Sequence, residues 1–377
     1  MACLSLGIID KNFITIILSC IFCFLNRLVN KTKDTLLFKN ATLTVVCILI
    51  PKFLVGILLI IFIIKTKQLH LSDKKYASKN TTLYFANNVE EKANKGKWLY
   101  LILTTIILYA YLFLLVLAFE IKTNSWICYI MIVSIFSYVF FKTQLYKHHY
   151  LSIICILLIG LIIDLVTENL QVEIVNNTIK LLLKFIKEIL LSLYCVMAKY
   201  VMEKNYVSVY EFSFYMGLFG LIISGIVAIF DYYILEFGNY DEYFSNFSRK
   251  ELLVMLGVIA TQFGLNLTML FIIRNNSPCH VFIMFVFGQI AYYINFEGYA
   301  IIVNICLILI LFLSLIFNEF IEINIFGLSF NTRKNIADRA IAEENVHGKM
   351  DETNNKVIFH DEYLIELIDD DNSRILK

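Results

Sequence analysis

Charge is what this sequence has least of. Only 17% of its 377 residues are Asp, Glu, Lys or Arg, against 59% apolar, and no water-soluble domain could keep that much apolar surface out of water. A soluble fold is thereby excluded and an integral membrane protein implied. Proline is almost missing, at 2, and glycine is sparse, at 14. With so few turn formers and no ten-residue alternation of apolar and polar positions, a membrane barrel is excluded too, and a helical bundle is expected. The net charge of +1 gathers into no basic face, because the lysines and arginines sit in loops beside apolar runs, so no nucleic-acid partner is expected.

Disulfide and catalytic signals are also wanting. Of the 9 cysteines, Cys20, Cys23, Cys47, Cys128, Cys155, Cys195 and Cys306 lie inside apolar runs, where Cys behaves as a small hydrophobe. Cys20 and Cys23 form a CxxC with no His or second pair nearby, so neither a metal nor a redox cofactor is expected there. No GxSxG or HExxH occurs, and His148 and His149 have no acidic partner at a recognised spacing. An enzyme is therefore not expected.

Long apolar runs are what the chain has. About 20 apolar residues cross a bilayer as a helix, and ten stretches qualify: 13–29, 43–64, 98–119, 126–141, 150–166, 179–202, 210–236, 251–273, 280–295 and 299–317. They divide into a first five-helix unit at 13–166 and a second at 179–317, flanked by an N-terminal segment 1–12 and a tail 318–377. Residues 65–97 form the one long polar loop, and from 341 the tail turns acidic, ending on Asp369, Asp370 and Asp371; disorder is expected in most of that tail. The first span ends on Asn26, Arg27 and Asn30 instead of a small-residue cleavage site, so it is expected to be retained. Loops on the side of both termini hold more of the basic residues (Lys65, Lys74, Lys92, Lys142, Lys147, Lys204 and Arg274 among them) than the opposite loops do. Both termini are therefore expected in the cytosol. Sequons at Asn40, Asn176 and Asn246 then face the lumen or exterior.

Polar residues at membrane depth carry the functional signal, since they are costly unless they face protein or water. Ser213, Gly217, Gly220 and Ser224 share one face of the seventh span, and Gly257, Thr261, Gly264 and Thr268 repeat that spacing in the eighth. Such stripes let helices approach closely, or line a cavity for a solute. Gln262 and Asn266, at i and i+4 beside the second stripe, are the hydrogen-bonding pair expected to meet a solute. Lys180, Lys184 and Lys187 form a stripe at the start of the sixth span, with Lys199 further along. They either snorkel to headgroups or attract a phosphate-bearing solute, with Asp164, Glu168 and Glu188 as balancing charges. Of these lysines, Lys184, Lys187 and Lys199 are the expected substrate contacts.

The hinge between the two units reads KYVMEKNYVSVYEFSFYMGLFGLI at 199–222; YKHHYLSI at 146–153 enters the fifth span, and NEFIEINIFGLSFNTRKNIADRA at 318–340 follows the tenth. In these segments, and over residues 13 to 340, the chain resembles the drug/metabolite transporter superfamily, chiefly its nucleotide-sugar-transporter-like eukaryotic branch of EamA-type solute carriers. The resemblance implies an all-α polytopic membrane protein with ten transmembrane helices in a 5+5 inverted repeat, working by alternating access without a cofactor. NRLVNK at 26–31 and AKYVMEK at 198–204 then hold equivalent places in the two units, pairing Arg27 with Lys199. An anionic nucleotide sugar or related phosphate compound is the implied solute, in an endomembrane such as Golgi, ER or vesicle, or in the plasma membrane. The alternative is a non-transporting membrane scaffold or receptor-like protein acting through its acidic tail.

Overall fold

Among the described residues, the apolar stretches are helical. A computed structural model describes residues 4–6, 13–30, 44–54, 57, 61, 96–117, 125–143, 145–166, 178–205, 207–230, 249–292, 299–323 and 332. In chain order these form β1 (Leu4–Leu6), α1 (Phe13–Asn30), α2 (Thr44–Leu54), α3 (Lys97–Leu117), α4 (Tyr129–Phe141), α5 (Lys147–Val166) and α6 (Thr178–Lys204). There follow α7 (Val209–Phe230), α8 (Arg249–Asn275), α9 (Val281–Tyr292), α10 (Tyr299–Phe317) and β2 (Ile321–Ile323). Short 3-10 turns at Ser125–Cys128 and Pro278–His280 lead into α4 and α9. Four segments, Lys97–Leu115, Lys147–Val166, Val209–Phe230 and Leu252–Asn275, are long and apolar enough to cross a membrane. The sequons, the acidic tail from 341, Glu168 and the 65–97 loop short of Gly96 lie outside the described residues.

The helix ends follow from local chemistry. Ser208 caps α7, its Oγ accepting the Glu211 N–H at 3.1 Å, so the chain turns from α6 into α7 within a few residues. At the end of α10 the chain enters the left-handed region at Glu319 (φ 62). Glu319 N–H donates to Ile316 O at 3.0 Å and Phe320 N–H to Leu315 O at 2.9 Å, the paired bonds of a Schellman stop.

The outer faces are oily, and small polar residues are buried among the apolar ones inside. Leu99, Leu165 and Leu253 are exposed, whereas Thr104, Thr105, Ser152, Ser192 and Ser213 are buried. Helix pairing has a regular order: α1 packs on α8 and α9, α6 packs on α3 and α4, and α5 packs on α10. One short element beside the helices is extended. Leu4–Leu6 pairs antiparallel with Ile321–Ile323, so the N-terminal segment and the start of the tail form a small ribbon, because alternating apolar residues just outside the bundle satisfy their backbone groups by pairing. The ribbon also places the two segments side by side at one end of the bundle.

Candidate functional site

The two small-residue stripes are filled by helices. On α7, Ser213 Oγ donates to the Lys52 carbonyl of α2 at 2.8 Å. A Cβ added at Gly217 would stand 2.4 Å from Phe53 N, and one at Gly220 2.9 Å from a Leu49 methyl; Ser224 is buried one turn on. On α8, a Cβ at Gly257 would touch Val29 at 3.5 Å, and one at Gly264 would fall 2.3 Å from the Phe22 ring. Thr261 and Thr268 return their hydroxyls to the carbonyls of Gly257 and Gly264, at 2.9 and 2.8 Å. The stripes thus seat α2 and α1 at close range, and neither lines an open solute path.

The residues expected to meet a solute are dispersed. Gln262 Nε2 donates to Asn26 Oδ1 on α1 at 3.2 Å, and Thr261 Oγ1 lies 3.1 Å from the same oxygen, so Gln262 is engaged in joining helices. Asn266 is buried with its Nδ2 unpartnered. On α6, Lys184 is buried and has partners of its own. Lys187 Nζ is 2.7 Å from Glu188 Oε1, which also accepts from Ser125 Oγ at 3.3 Å. Lys199 donates to the Asn276 carbonyl and lies 3.4 Å from Glu203. At 1.5 Å per residue, Lys187 and Lys199 stand about 18 Å apart along one helix. They cannot hold one small solute together, and sequence spacing within a single helix already dictates that separation.

A residue passed over in the sequence stands between them. Lys52, on α2, is 2% exposed, and its Nζ lies 5.6 Å from the centre of the Tyr194 ring. Among the described residues no carboxylate reaches ion-pair distance of it. A buried, unneutralised ammonium is costly, and a ring face repays only part of that cost. The Tyr194 hydroxyl of α6 is buried without a hydrogen-bond partner, and Cys195 lies close to both Lys52 and Tyr129. Tyr129 Oη donates to the Pro278 carbonyl at 2.9 Å. The cluster therefore draws Lys52 and Tyr129 from the first five helices and Tyr194, Cys195 and Pro278 from the second. The signal for Lys52 was in the sequence, as the one charge within the apolar run 43–64.

A polar tie joins helices of the first five to helices of the second five on each side of this cluster. Towards the start of α6, Ser125 reaches Glu188. Towards its end, Lys97 of α3 meets Glu211 of α7 at 2.6 Å, beside Tyr100 stacked edge-on to Tyr200. Trp98 packs edge-on to Tyr215 at 4.8 Å, closing the same end with aromatic surface.

The view of His148 and His149 as lacking an acid also needs correction. Glu319 Oε1 lies 3.2 Å from His148 Nε2 and 3.9 Å from His149 Nε2, brought there by the packing of α5 on α10. No protein-family model and no curated protein matches the chain.

Proposed function

We propose that this protein is a membrane carrier of the drug/metabolite transporter type, moving a small anionic metabolite by alternating access. The observation that carries the reading is Lys52: an ammonium buried between the two five-helix units, with no described carboxylate to neutralise it. An intramembrane charge is retained against its cost where a ligand or a moving ion needs it, and an anionic solute would supply the missing counter-charge. The unpartnered Tyr194 hydroxyl offers a hydrogen bond to the same solute. A phosphate-bearing compound, a nucleotide sugar first, suits a single lysine with a neutral donor beside it.

Two further features support the carrier reading. If each helix of the first unit corresponds to the helix five places later, exchanging the units turns the α1 contacts with α8 and α9 into the α6 contacts with α3 and α4, and leaves α5 against α10 unchanged. That is the pairing a 5+5 repeat would produce, and it supports a reading with ten crossings. The ties at Ser125–Glu188 and Lys97–Glu211 flank the Lys52 cluster, as gates to a central site would. Alternating access then consists of opening one tie while the other holds. Exchange in proteoliposomes tests the proposal: wild-type protein takes up labelled anionic solute against a preloaded pool, and Lys52→Met does not. Equal uptake by both would remove Lys52 from the mechanism.

A further inference from the structure

The His148, His149 and Glu319 side chains sit at the end of the bundle where α5 begins and α10 stops, away from the Lys52 cluster and unused by the carrier reading. His148 and His149 occupy the first turn of α5 with ring centres 4.0 Å apart. One ring nitrogen of each histidine and one Glu319 carboxylate oxygen lie within 4.8 Å of one another, and the three side chains are only 4%, 13% and 12% exposed. In a tetrahedral site with metal bonds of about 2.0 Å to nitrogen and oxygen, neighbouring donor atoms are about 3.3 Å apart. The distances of 3.2 and 3.9 Å from Glu319 Oε1 to the two nitrogens bracket that spacing.

The backbone at Glu319 is a second, independent observation. It holds φ 62, a conformation in which glycine is favoured and a side chain is strained. A glycine would end α10 with less strain, yet the chain places there a carboxylate that reaches both imidazoles. His149 Nδ1 accepts the Tyr146 N–H at 3.0 Å, which turns its Nε2 towards Glu319, and His148 Nδ1 has no hydrogen-bond partner.

We propose that His148, His149 and Glu319 bind a divalent transition cation, zinc foremost. The His2Glu set supplies three donors and leaves the fourth position to water. Binding at Nε2 shifts each ring's remaining proton to Nδ1. The Tyr146 N–H then loses its acceptor, so this bond and metal binding through His149 Nε2 are alternatives. The bound ion would fasten the start of α5 to the end of α10 and so stabilise the contact between the two units at that end.

The test uses the full chain, purified through a histidine-free tag and stripped of metal, then titrated with Co²⁺ and followed by visible absorption. The expected result is one Co²⁺ per chain with the intense bands of four-coordinate cobalt, displaced by one Zn²⁺. Glu319→Gln, which keeps shape and helix stop, should weaken binding by at least about tenfold, and His148→Ala with His149→Ala should abolish it while helical content is retained. Absence of stoichiometric Co²⁺ binding in the wild type, or binding unchanged in Glu319→Gln, would overturn the site.

Discussion

At the scale of single residues, Lys52 and its lack of a counter-charge among the described residues come first. Replacing it by Met conserves length and removes a buried ammonium, an exchange that tends to be neutral or stabilising. Lys52→Met is therefore expected to leave the melting temperature of the detergent-solubilised protein unchanged or higher, while anion exchange falls by at least about tenfold, the factor that about 1.4 kcal/mol of lost binding produces. Lys187→Met and Lys199→Met should act differently. Each strands an acceptor already engaged inside the protein, Glu188 in the first case and the Asn276 carbonyl in the second, so thermal stability should fall in both. A melt of the three variants side by side separates the two behaviours. The sequence showed Lys52 as a charge in an apolar run, but its partner Tyr194 belongs to another helix in the other unit, and no local spacing reveals that neighbourhood. Asn26 is a like case: in the sequence it marks the polar end of the first span, and in the fold it accepts from Gln262 across an interface.

At the scale of helices, the small-residue stripes give the sharpest contrast. A methyl at Gly217 meets backbone atoms of Phe53 at 2.4 and 2.6 Å, whereas one at Gly225 meets nothing within 4 Å. Backbone cannot swing aside as a side-chain tip can, so Gly217→Ala should destabilise the protein by about 1–3 kcal/mol, the usual range for overpacking, and Gly225→Ala by much less. Thermal unfolding of both variants checks this. Across the α1–α8 contact, a double-mutant cycle between Asn26→Ala and Gln262→Ala should return a coupling of about 0.6 kcal/mol, typical of hydrogen bonds between membrane helices. The periodicity of Ser213, Gly217, Gly220 and Ser224 already marked them as one face of one helix. What the face meets was not legible, because the same spacing serves a close helix neighbour and a cavity wall equally well.

At the scale of the molecule, the apolar stretches foretold the helices because hydropathy and length act locally. The pairing of α1 with α8 and α9, and of α6 with α3 and α4, lay beyond sequence, since it depends on which faces close over one another. His148 illustrates the limit. Its carboxylate partner is 171 positions away, so a search for acids at motif spacing had nothing to find. The β1–β2 ribbon requires the N-terminal segment and the start of the tail to share one side of the membrane. Single-cysteine labels placed at Ser5 and Glu322 should accordingly react from the same side of sealed vesicles, and reaction from opposite sides would exclude an even number of crossings. The central claim is that the two helical units enclose an anion site at Lys52, and counterflow tests it most directly. Proteoliposomes preloaded with unlabelled nucleotide sugars and nucleoside monophosphates are given each labelled solute in turn, with wild-type protein and with Lys52→Met. The account predicts uptake that depends on preloading with wild type and is lost in the variant; no uptake by folded, inserted wild type, or equal uptake by both proteins, would contradict it.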